Sequence, residues 1–312
     1  LMLIIFTYLL FTCTLHLILG KIRIDKKLKG DFSLVQPIYR TIKQYLYHPL
    51  LLVFIIPLSY LLAGTLYAGQ YTQFSFIRFI LLYGFVFINH LLGNFLFKTA
   101  KITLSFNHIS FIVFELINLL LIYYFSSAIH SLVGLLCFFY SVVIHAHFYL
   151  IRQGYTWVTL AISSIFKGGI LTYLSFYVQA NFIPTTLFYW STPLVLVVFL
   201  VELGKIQLNY SMINVQLNDQ QTNSTFLDTK NFNRFLLGLL LLIYLISFIF
   251  YIPTFKGTTF IILFTLPFAI KLIQYLFSKE ELIAKKLKQR ALQLYSVAFF
   301  ITFSVILFIH TN

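Results

Sequence analysis

The sequence predicts an all-α, polytopic membrane protein, and three observations carry that prediction. Ten stretches of roughly 18 to 24 mostly apolar residues recur along its 312 residues. Lys and Arg gather in every second gap between them. Sixty per cent of the residues are hydrophobic, only 10% are charged, and the mean hydropathy is +0.91. About 20 apolar residues in helical geometry match the ~30 Å hydrocarbon core of a bilayer, where a helix satisfies its own backbone polar groups. Little of the chain remains for a water-soluble domain.

The spans follow in order. The first, 2–19, has its positive charges after the apolar run and no small-residue cleavage site, so it reads as a retained anchor and not a signal peptide. The chain opens Leu1-Met2, which a non-standard start codon or a missing front end would equally give. A basic linker then leads to 46–69, entered through Tyr45 and Tyr47, aromatics of the interfacial kind. Spans 74–97, 109–127 and 130–150 follow, then 157–178 behind Tyr155 and Trp157, and 183–203. The last three are 234–252, 258–277 and 292–310. Pro49, Pro57, Pro193 and Pro267 read as helix starts or kinks, and Gly84 and Gly168-Gly169 as places of close helix contact.

Charge fixes the expected orientation. One set of gaps holds Lys21, Arg23, Lys26, Lys27, Lys29, Arg40 and Lys43, then Lys98 and Lys101, Arg152, Lys205, Lys230 and Arg234, and finally Lys279, Lys285, Lys286, Lys288 and Arg290. Eighteen of the 22 basic residues therefore lie on one side, against Arg78 and Lys256 on the other, while Lys167 and Lys271 fall inside spans. Positively charged loops stay in the compartment of synthesis. The basic side should face the cytoplasm of a bacterium or the matrix of a mitochondrion, with both chain ends opposite. The abundance of Phe, Ile, Tyr and Lys fits an AT-rich genome of either kind. A net charge of +14 placed at helix ends argues for membrane orientation and against nucleic-acid binding.

Cys13 and Cys137 both sit in apolar stretches, as small hydrophobes and not as a disulfide framework. The sequons at Asn209 and Asn223 fall on the basic side and read as chance. No phosphate-cradling glycine loop and no Ser/His/Asp nucleophile pattern is present.

Setting the first span aside leaves nine helices, with basic gaps after the second, fourth, sixth and eighth. Two helix ends are rich in polar residues: Asn89-His90-Leu91-Leu92-Gly93-Asn94 before Lys98, and Glu202-Leu203-Gly204-Lys205 leading into the polar stretch from Asn218 to Thr225. The layout resembles the UbiA-type intramembrane prenyltransferases, over about residues 38–312. Pro57-Leu58-Ser59-Tyr60-Leu61-Leu62-Ala63-Gly64 looks like that family's first helix, and Phe139-Tyr140-Ser141 with Arg152-Gln153-Gly154 like its fourth helix and following turn. The resemblance implies a nine-helix ring, here preceded by an extra transmembrane helix in a segment 1–37. It also implies an Asn with spaced Asp residues after helices 2 and 6, binding the Mg²⁺ that holds a prenyl diphosphate.

The residues depart from that pattern. Asn89 can match the first Asn, but His90, Gly93 and Phe97 stand where Asp would follow. After helix 6 the chain reads Lys205-Ile206-Gln207-Leu208-Asn209, with Glu202, Asp219 and Asp228 the nearest acids. The whole chain has only eight Asp and Glu, while hard cations call for oxygen ligands, preferably carboxylates. The first expectation is accordingly a catalytically silent UbiA-like protein with no metal or other cofactor. It would be a lipid-binding or structural subunit of a larger membrane complex, with anionic lipid or isoprenoid and other membrane subunits as partners. Lys98, Lys101, Arg152, Lys205, Lys230 and Arg234 would converge on an anionic headgroup, or simply enforce topology. The alternative is a divergent prenyltransferase that uses Mg²⁺ on Asn89, Glu202, Asp219 and Asp228.

A third reading is a carrier or ion-translocating subunit. Glu115, Lys167 and Lys271 lie within spans, where a charge is costly unless paired or hydrated, and a Glu115 to Lys167 pair would form a relay. Snorkelling or a structural ion pair explains them equally. His145 and His147 are two residues apart on a helix, about 200° around it, so they cannot share one ligand face. The aromatic residues, 19% of the chain, pack helices and form interfacial belts as readily as they would line an isoprenoid cavity.

Overall fold

A computed structural model describes residues 49–99, 107–214, 230–276 and 281–311. The 2–19 span, the basic linker, Cys13, Lys101, Asp219, Asp228 and Lys279 lie outside the described residues, as do the side chains of Lys98, Arg152 and Lys230. The described residues form ten α-helices and contain no strand. They are α1 Pro49–Ala68, α2 Phe76–Thr99, α3 Asn107–Ala128, α4 Ser131–Arg152 and α5 Thr156–Ser164. A π-helical turn, Ile165–Ile170, carries α5 into α6 Leu171–Ala180, followed by α7 Thr185–Asn214 and α8 Lys230–Phe255. A 3₁₀ segment, Lys256–Thr265, leads to α9 Leu266–Leu276, and α10 Glu281–Thr311 is the last described helix.

Seven stretches are long and apolar enough to cross a membrane, and Ser131–His147 is a shorter apolar helix beside them. One of the seven, Phe232–Tyr275, has 44 residues, far more than the ~20 that one crossing needs. It folds back on itself near Lys256, whose φ of 49° is left-handed. Tyr244 then hydrogen-bonds Thr265 at 2.6 Å, and the rings of Phe248 and Phe260 lie 6.0 Å apart. The described residues thus make nine apolar passes, in the order the hydropathy pattern predicts. This is an all-α polytopic membrane protein.

Each pass packs on the next, and α10 packs along α1, so the circuit closes. α6, α7 and α10 form the interior with α1. α3 is different: among the described residues it packs mainly on α2 and α4, and it presents Ile109, Ile112, Leu116, Leu120 and Tyr123 outward. Large aliphatic and aromatic side chains facing out all along a span are what lipid contact demands.

Glycines set the closest approaches. A Cβ on Gly64 would stand 2.0 Å from the Thr172 carbonyl oxygen, so α1 and α6 meet backbone to backbone there. Gly168 does the same against Val195 of α7, where a Cβ would lie 2.6 Å from the Val195 Cα. Gly84 does not follow the expectation: nothing lies within 4 Å of its Cβ position, because that face of α2 looks away from its neighbours. Gly154, at φ 87°, provides the turn between α4 and α5.

Two element boundaries differ from the hydropathy reading. α7 runs on to Asn214, so Lys205 to Asn209 is helix and not loop. α10 begins at Glu281, placing the basic run Lys285 to Arg290 on a helix. Backbone hydrogen bonding continues past the end of an apolar stretch wherever the residues are good helix formers, and hydropathy does not record this.

Candidate functional site

A cavity of about 360 Å³ lies at the end of the bundle where the basic helix ends gather. Its lining residues recur at helical spacing. α2 contributes Val86, Asn89, His90, Gly93, Asn94 and Leu96; α4 contributes Tyr140, Ile144, His147 and Ile151. Pro57 and Tyr60 come from α1, Lys167 from the π turn, Glu202, Lys205 and Ile206 from α7, and Gln289 and Gln293 from α10. The walls are aliphatic and aromatic, and the polar groups converge on one region, as in small-molecule sites generally.

The centre of that region is an ion triad. Lys167 Nζ donates to Glu202 Oε1 at 2.9 Å, and Lys205 Nζ donates to the same oxygen at 3.0 Å. The Glu202 side chain is only 4% exposed, while Lys167 and Lys205 keep 15% and 22%. A lone buried carboxylate would be expensive, and two ammonium groups on one oxygen offset that cost. Lys205 reaches Glu202 because i and i+3 share a helix face. Lys167 reaches it because the π turn rotates this part of the chain and Gly168 lets it press against α7. On the opposite face of the same turn of α7, Gly204 is closed over by Leu292 of α10.

Beside the triad runs a chain of amides. Asn89 Nδ2 donates to the Phe85 carbonyl at 3.0 Å and to Asn118 Oδ1 at 2.8 Å, and Asn118 Nδ2 donates to Ser141 Oγ at 2.8 Å. Asn89 is fully buried, and its Oδ1 has no partner among the described residues. An acceptor left open in a protein interior costs about 1–3 kcal/mol unless something else supplies a proton. On the far wall, His147 Nδ1 pairs with Ser163 Oγ at 2.9 Å, which leaves Nε2 as the ring's remaining polar atom.

Asn89, Glu202, Lys205 and Lys167, four of the residues singled out from the sequence, come together at this cavity. Others do not. The expected Glu115 to Lys167 pair is absent: Glu115 pairs with His145, whose Nδ1 also lies 2.7 Å from the Ser141 carbonyl, on the α3–α4 perimeter. Lys167 has Glu202 as its partner because the π turn directs it toward α7 and away from α3. His145 and His147 face different neighbours, as their spacing requires. Arg234 is exposed on α8 and Lys271 lies on α9, and neither lines the cavity.

The site also holds residues that sequence reasoning did not select: His90, Asn94, His147, Gln289 and Gln293. The signal was available. His90 with Asn94, and Gln289 with Gln293, are polar pairs at i, i+4, a spacing that puts both members on one helix face.

The described lining does not suit the Mg²⁺ that the prenyltransferase resemblance implies. Its single carboxylate already faces two ammonium groups at 3.0 Å or less, and they would repel a dication. Among the described residues no group of three or more His, Cys, Asp or Glu is placed to hold a metal. No protein-family model matches the chain, and no curated protein matches it.

Proposed function

We propose that this protein is a UbiA-like membrane subunit that binds an amphiphile by its anionic head at the basic end of the ring and does not convert it. The observation that carries the reading is Glu202, the only acid lining the cavity among the described residues, shared by two lysines beneath apolar walls. An amphiphile offers that cavity what it lacks, an anion for the ammonium groups and hydrocarbon for the walls. By the positive-inside rule the head would enter from the cytoplasmic face of a bacterial membrane, or from the matrix face of the mitochondrial inner membrane. In a larger complex the outward apolar face of α3 is where a neighbouring subunit would take the place of lipid.

A second reading, a divergent prenyltransferase, is favoured by the meeting of Asn89 and Glu202 at one cavity from distant parts of the chain. One experiment separates the two. The full chain, purified in mild detergent, is incubated with a prenyl diphosphate and Mg²⁺, and released diphosphate and co-purified lipid are both measured. Retained anionic lipid without turnover is expected. Turnover by the isolated protein, abolished by Asp219→Ala with Asp228→Ala, would establish the enzyme instead.

A further inference from the structure

The charge count of the cavity narrows what can occupy it. Lys167 and Lys205 bring two positive charges and Glu202 one negative, and no other Lys, Arg, Asp or Glu lines the space among the described residues. With His90 and His147 neutral, the formal balance is one unit of positive charge. The two ammonium groups are not independent points, since both sit on one Glu202 oxygen. An incoming anion must compete with that carboxylate for the same donors.

We infer that Glu202 is a built-in counter-anion that sets the charge of the ligand: the cavity takes a singly charged head, a phosphodiester or a carboxylate, and rejects phosphomonoesters and diphosphates. The inference rests on the anionic-head reading above and refines it. A monoanion neutralises the triad. A phosphomonoester, with a second pKa near 6, carries roughly −1.5 to −2 at pH 7 and leaves surplus negative charge where solvation is poor. A diphosphate is worse, and the described lining offers it no metal ligands to offset the surplus. The volume agrees: about 360 Å³ holds a polar head and a few carbons, so the tails of a bilayer lipid must extend beyond it.

The test uses the full chain in nanodiscs of zwitterionic lipid, with single-chain probes that differ only in the head. The four heads are a glycerol phosphodiester, a carboxylate, a phosphomonoester and the zwitterionic phosphocholine. The wild type should bind a singly charged probe at least about tenfold tighter than the phosphomonoester or the zwitterion. Which of the two single-charge heads binds better identifies the source. Glu202→Gln raises the balance to two positive charges and should reverse the order, so that the phosphomonoester binds tightest. Lys205→Gln should weaken the singly charged probes by about tenfold. A wild type that prefers the phosphomonoester, or a folded Glu202→Gln protein with the order unchanged, overturns the inference while leaving an anion site standing. If no anionic probe outbinds the zwitterion, the anionic-head reading itself fails. The wild-type ranking decides the matter even if Glu202→Gln does not fold.

Discussion

At the end of the bundle away from the basic helix ends, Tyr67 packs its ring 5.2 Å from both Trp190 and Phe176, Trp190 meets Phe255 at 4.8 Å, and Tyr251 stacks on Phe303 at 4.8 Å. Several polar groups there tie one helix to another, while the buried Thr65 and Thr259 hydroxyls have no partner among the described residues. Gln179 accepts from Ser75 N at 2.9 Å and donates back to Ser75 O at 3.1 Å, Arg78 donates to the Val178 carbonyl, and Tyr251 donates to the Trp190 carbonyl. The basic end holds the cavity instead, with one carboxylate shared by two cations and one amide oxygen left open. The same helices thus close at one end and stay hollow at the other. At the closed end polar groups serve to tie helices together across close-packed rings, whereas at the basic end they line a space under apolar walls, as a binding site requires.

The largest expected effect comes from breaking the closed half. Gly64→Leu would drive a side chain into the Thr172 carbonyl and Ser175 Oγ, and the clash is with backbone, which cannot rotate away. Separating α1 from α6 should cost about 3 kcal/mol or more, the upper range for overpacking. Thermal unfolding in detergent would show it as loss of the folded, monodisperse protein. A variant as stable as wild type would mean that α1 and α6 do not cross at Gly64.

A smaller effect belongs to the amide chain beneath the cavity. Asn118 is buried, accepts from Asn89 and donates to Ser141, so it ties α3 to α2 and α4. Asn118→Ala strands both partners and should cost about 1–3 kcal/mol in the same unfolding measurement. It should also loosen binding at the cavity, because Asn89 loses the contact that holds its amide plane. Unchanged stability together with unchanged binding would show that the chain is not a support for the site.

The difference between the two halves was only partly legible in the sequence. Span number, order and the basic end came from apolar length and charge, which are local quantities set by the bilayer. The partner of Lys167 was not legible. Glu202 is 35 residues away, and the π turn that aims Lys167 toward it leaves no mark in hydropathy. His147 carries no signal beyond its failure to share a ligand face with His145, and Gln293 none beyond its spacing from Gln289, because a single polar residue on an apolar span gains meaning only from what faces it. Glycines behave likewise. Gly64, Gly84 and Gly168 look equivalent in sequence, yet two sit at helix crossings and one meets open space.

The smallest predicted effect tests that last contrast. Gly84→Ala adds a methyl where nothing lies within 4 Å, and alanine is the better helix former by up to about 1 kcal/mol. The variant should be as stable as wild type or more stable, by no more than about 1 kcal/mol, in the same unfolding assay that separates Gly64→Leu. A gain would confirm that this face of α2 contributes only its own backbone. A loss above about 1 kcal/mol would mean that something presses on Gly84 from outside the described helices, since a methyl costs that much only against close-packed neighbours. Such a result would move the search for a partner surface from the bare side of α3 to the outer face of α2. The contrast between a crossing glycine and a free one would then have to be redrawn around that contact.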